Sequence, residues 1–211
     1  MDAVLTGLSI GLASGIAPGP LTILAIAVTL RRGRLAGTAI AIAPLLSDTL
    51  IIVASFTVVS RLPDVAVTWL GLIGGIVVGV FAVETLRSAR VADPVSLAES
   101  GESTGRRYSV PLVVQGFLTN LLNPAPWIFW ITAGSALLVT TWRTSPVNTV
   151  GFLVAFYVTL VGSKIVLVLL MGAARDRISR RTYGYALTVS GLLLLVVAAG
   201  FIVSSATTLL Q

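Results

Sequence analysis

Six apolar stretches, each long enough to cross a bilayer, dominate this chain. A spanning helix needs roughly 20 apolar residues, because lipid offers no partner to an exposed backbone N–H or C=O. The stretches fall near 4–30, 36–60, 66–86, 111–140, 147–173 and 183–209. The first, fourth and fifth exceed the minimum and are expected to be tilted or broken. Charged residues make up 10% of the chain, against roughly 25% in a soluble domain. The start, Met1-Asp2-Ala3-Val4, has no basic n-region, so the first stretch is expected to remain as a span. The reading is an all-α membrane protein of about six transmembrane helices.

The arginines set the orientation. The first, third and fifth loops hold eleven of them: Arg31, Arg32 and Arg34; Arg87, Arg90, Arg106 and Arg107; Arg175, Arg177, Arg180 and Arg181. The second and fourth loops hold only Arg61 and Arg143. That bias predicts odd loops in the cytoplasm and both termini outside. It also accounts for the net charge of +6 without a nucleic-acid partner. A polar linker, 87–110, contains Asp93-Pro94, Glu99 and Gly101-Glu102-Ser103 and separates 1–86 from 111–211. Each half has three spans. An odd number forces the second half to enter the membrane inverted, which predicts two inverted three-helix repeats.

Cys and His are absent. Disulfides, thiol redox chemistry, Cys/His metal sites and a histidine relay are therefore excluded. No nucleophile–base–orienter set is visible, so the chain reads as no enzyme, with no cofactor and no metal site.

Both halves carry a Pro-x-Pro inside an apolar span: Pro18-Gly19-Pro20 and Pro124-Ala125-Pro126. Proline removes an N–H and displaces the carbonyl four residues earlier. The carbonyls of Ser14, Ile16, Asn120 and Leu122 are therefore expected to be free. Such groups are tolerable in a membrane only against protein or a watery cavity. One proline reads as a packing kink; a matched pair points to a substrate site. Trp127 and Trp130 follow the second motif and either stack on a ligand or fill the bundle. The stripe Gly7, Gly11, Gly15 and Gly19, like Gly71, Gly74, Gly75 and Gly79, reads as helix packing.

Two ionisable residues lie deep in spans, Asp48 and Lys164, each preceded by a serine. Asp48 is about 18 Å from the cytoplasmic end of its span and Lys164 about 12 Å, at 1.5 Å per residue. An unpaired charge there costs at least ~2.5–3.5 kcal/mol. The two are expected to face the bundle interior and pair, as a structural ion pair or a coupling pair. Glu84 is expected at the interface.

The chain resembles the lysine exporter superfamily, the LysE/RhtB amino-acid exporters. The resemblance rests on Gly15-Ile16-Ala17-Pro18-Gly19-Pro20, Arg32-Gly33 with Gly37, Asp48, and Gln115-Gly116-Phe117-Leu118-Thr119-Asn120-Leu121-Leu122-Asn123-Pro124. It extends over nearly the whole chain. It implies export of amino acids or similar small zwitterions across the cytoplasmic membrane, driven by the proton motive force. Where many amino-acid exporters follow Asn-Pro with Lys-Ala or a similar pair, this chain has Ala125-Pro126-Trp127. The expected substrate-binding residues are Ser14, Pro18, Gly19, Pro20, Asn120, Asn123, Pro124, Pro126 and Trp127, with Asp48 and Lys164 as coupling or ion pair. Expected partners are the small solute, protons and the lipid bilayer, and a homo-oligomer is allowed. The alternatives are an accessory scaffold for lipid or glycolipid export and a cation exporter of the same superfamily.

Overall fold

The computed structural model describes residues 3–91, 110–173 and 180–210, and every regular element in them is helical. Residues 92–109 of the expected linker, and 174–179 of the fifth loop, lie outside the described residues. The chain is an all-α membrane protein. Four helices are long and apolar enough to span alone, and counting each of two bent pairs as one span brings the number to six.

The first span is α1 (Ala3–Ile16) and α2 (Pro20–Arg32), bent by 55°. Proline opens α2 at the one turn of a helix that has no use for its missing N–H. The second span is α3 (Arg34–Ala41) and α4 (Pro44–Val59), with Gly33 before it at φ +89°, which favours glycine. The third is α5 (Asp64–Val91), which carries the helix beyond the expected end of that span.

The fourth span has three α-helical pieces and a π-turn. α6 (Leu112–Leu121) ends at a 54° bend, and α7 (Pro124–Phe129) begins with proline. The Asn123 side chain caps it, accepting from the Ala125 amide. A π-turn, Trp130–Gly134, then leads into α8 (Ser135–Thr144). Across the wider turn the Trp130 carbonyl accepts both the Ser135 amide and, at 2.5 Å, the Ser135 hydroxyl. The fifth and sixth spans are α9 (Pro146–Ala173) and α10 (Arg180–Leu209).

Packing joins these spans in pairs: α1 with α9, α5 with α10, and α4 with α6 and α8. Small residues make the first pair possible. A methyl on Gly7 would sit 2.5 Å from the Phe152 carbonyl oxygen, and one on Gly11 or Gly15 would strike Phe156 or Ser163 of α9. Gly74 is pressed in the same way against Ala133 of the π-turn. Gly19 has open space around it, so its place in the stripe is not a packing one.

Candidate functional site

Both breaks line one cavity of about 590 Å³. Ala17 to Thr22 border it from the first span, and Asn120, Asn123, Ala125 and Pro126 from the fourth. The cavity extends along α5 to Glu84, Thr85, Arg87 and Ser88. Glu84, read from sequence as an interfacial group, is exposed there and lines the mouth.

At the other end Phe129, Trp130 and Phe156 form an aromatic wall. Phe129 and Phe156 stack with centroids 6.0 Å apart, and Trp130 meets Phe156 edge-on at 5.3 Å. Phe152, fully buried, backs Trp130. Further along, Thr141 and Thr149 hydrogen-bond at 2.8 Å, and Arg143 pairs with Asp64, tying α8 to α9 and to α5.

Asp48 is 4% exposed and Lys164 6% exposed, and both line the cavity. They form no direct ion pair. Asp48 Oδ1 accepts a 2.6 Å bond from Asn120 Nδ2, and Oδ2 accepts from the Tyr157 hydroxyl at 3.3 Å. The same Asn120 amide donates to Ser47 Oγ at 2.7 Å. Lys164 Nζ donates to Thr22 Oγ1 at 2.8 Å and to the carbonyls of Ser14 and Gly15, each at 3.3 Å. The two charges interact across the cavity without touching, and each break offers its neighbouring charge a closer partner of the right kind. α1 ends in carbonyls, which suit a cation, and α6 ends in an amide side chain that donates to an anion.

The two contacts are related. Ser14 precedes Pro18 by four residues, as Asn120 precedes Pro124. The span-two charge is held at the span-four break, and the span-five charge at the span-one break. Of the carbonyls expected to be free, Ser14's takes the lysine. The Asn120 carbonyl instead accepts the Asn123 amide at 3.2 Å. The Leu121 carbonyl accepts the Trp127 indole at 2.7 Å.

Ser14, Pro18, Gly19, Pro20, Asn120, Asn123 and Pro126 therefore line the cavity with Asp48 and Lys164. Pro124 and Trp127 do not border it. Pro124 is spent on starting α7, and the Trp127 indole is turned to the backbone of the break. Among the partners of the two buried charges, sequence missed Tyr157, Thr22 and the Gly15 carbonyl. Tyr157 lies seven residues before Lys164, two turns away on the same face of α9, and that spacing was the available signal.

Two broken spans meeting around buried charges, in a bundle of apolar helices, define the class of membrane transporters. Residues 12–205 match the model of the LysE type translocator family, and the chain belongs to that family. No curated protein and no solved structure matches it.

Proposed function

We propose that this translocator exports amino acids or similar small zwitterions across the cell membrane, coupled to protons. The observation that carries the reading is that one cavity is bordered by both helix breaks and both buried charges. The N-terminal end of α2 carries partial positive charge and suits a substrate carboxylate. The Asp48 side of the cavity suits an ammonium group. Ser14, Pro18, Gly19, Pro20, Asn120, Asn123 and Pro126 are the binding surface, whereas Pro124 and Trp127 act through the shape of the break. Asp48, held by the Asn120 amide and the Tyr157 phenol with the Trp130 indole beside it, is the carboxylate offered to a proton.

The arginine bias supports an orientation with both termini outside and the linker inside. On that reading the cavity mouth, beside Arg87, opens to the cytoplasm while the aromatic wall faces out, the loading state of an exporter. Two inverted repeats, 1–86 and 111–211 about the 87–110 linker, are supported by the pairing of spans. Exchanging span one with four, two with five and three with six converts the α1–α9 contact into that of α4 with α6 and α8. The same exchange returns α5–α10 to itself, and the bends are 55° and 54°.

The test is counterflow in liposomes holding only this protein, preloaded with one amino acid at a time. Saturable exchange of at least one amino acid is expected. A scaffold for lipid or glycolipid export would exchange none, and a cation exporter would exchange only cations.

A further inference from the structure

We infer that Lys164 supplies from within the chain the small cation that a broken-helix transporter otherwise takes from solution. Its ammonium fills a cation site built by the end of α1 and the first turn of α2. The inference rests on the transporter reading above but is tested separately from it.

A helix ending inside a membrane leaves carbonyls without amide partners and a negative dipole end. In transporters with discontinuous spans, such carbonyls coordinate a coupling ion. Here the Ala13 carbonyl is taken by the Ala17 amide at 2.9 Å. The next two carbonyls, Ser14 and Gly15, converge with Thr22 Oγ1 on Lys164 Nζ. Thr22 is 2% exposed and stands on the far side of the bend, so the three oxygens come from both halves of the broken span. The ammonium thus fixes α1 relative to α2. Lys164 reaches them from α9, against which α1 is packed through its glycines.

A tethered cation cannot diffuse away, but it can lose its charge. When the ammonium gives a proton to solvent in the cavity, the neutral amine keeps donors but loses its hold on the dipole end, and the bend is released. Among the described residues, the other ionisable groups facing the cavity are Asp48 on α4 and Glu84 and Arg87 on α5; those lining it from α1, α2, α6, α7 and α10 are uncharged. Tyr157 on α9 is turned to Asp48. Occupancy of the α1–α2 site then adds a second proton-sensitive element to the Asp48 carboxylate at the opposite break.

The experiment is chemical rescue. Lys164→Ala removes a three-carbon ammonium, and propylammonium is that fragment. The purified variant should melt at least about 2 °C higher, saturably, with propylammonium, while the wild type is unmoved. Sodium and methylammonium test how far the site accepts a smaller cation, and choline, too large for three converging oxygens, should do nothing. Adding Thr22→Val should weaken the rescue about tenfold or more, as expected for one bond to a charge. Recovery of Lys164→Ala only from membranes extracted with propylammonium would also support the site. An equal response to choline, no response to any cation, or failure to recover the variant with propylammonium present would overturn it. None of these readouts needs a transported substrate, so a wild type that exchanges no amino acid would sink the transporter reading and leave this result standing.

Discussion

Asn120 and Asp48 are joined by a 2.6 Å hydrogen bond across 72 residues of chain, at the break of the fourth span. The amide spends both hydrogens there, one on Asp48 and one on Ser47. Asn120→Ala should leave a buried carboxylate short of its closest donor. A bond to a charged group contributes about 1.5–3 kcal/mol. We expect a melting temperature several degrees lower and exchange reduced at least tenfold, both read on the purified variant. Asn120→Ser, which keeps a donor, should recover part of each.

Trp127 and Trp130 should separate cleanly in kinetics. Trp127→Phe removes the indole that bonds the Leu121 carbonyl, costing about 0.5–1.5 kcal/mol of stability. It should leave the apparent KM for exchange unchanged, because Trp127 does not border the cavity. Trp130→Phe changes the cavity wall and should move KM. The opposite assignment of effects would mean the solute lies against Trp127.

Much of this architecture is legible in the sequence for a simple reason: lipid forbids loose backbone, so span length and proline placement carry direct structural meaning. Pro20 and Pro124 mark the two bends, and the charges at 48 and 164 announce an interior facing something polar. The partners of those charges were not legible. Lys164 is held by two backbone carbonyls, which have no residue-type signature, and the Asp48–Asn120 contact depends on how two spans are laid together. Charge counting alone favours a direct pair, because it sees two opposite charges and not the helix ends beside them. Trp127 misleads in the same way, since an indole next to a helix break serves the backbone as readily as a ligand.

The α1–α9 interface should tolerate no side chain. Gly11→Val would drive a branched group into the Phe156 carbonyl and the Thr159 hydroxyl. Overpacking of this kind costs about 1–3 kcal/mol, and more where the obstruction is backbone. The yield of monodisperse protein in detergent should fall sharply. Gly162→Ala, with open space around it, should be neutral in the same measurement.

Asp64 and Arg143 pair in an exposed setting at the far end from the cavity mouth. Such pairs contribute about 0–1 kcal/mol. Asp64→Asn should therefore change the melting temperature by no more than about 2 °C. If closure of that end limits turnover, the same variant should raise the rate of exchange, which initial rates with saturating solute on both sides will show.

Orientation is tested with single cysteines, since the chain has none. Cys introduced at Thr144 should react with an impermeant maleimide added to intact cells, and Cys at Ser103 should react only after permeabilisation. Labelling of Ser103→Cys from outside would invert the topology and turn the cavity mouth away from the cytoplasm.

The most direct test of the account is whether solute crosses through the cavity between the two breaks. Ser88→Cys places one thiol at its mouth. Leu210→Cys, at the exposed end of the last helix, is the control. Both are reconstituted and reacted to completion with a bulky maleimide, and counterflow of the transported amino acid is measured. The account predicts that modified Ser88→Cys loses exchange, that excess substrate slows its modification, and that modified Leu210→Cys exchanges normally. Full exchange by completely modified Ser88→Cys would contradict it.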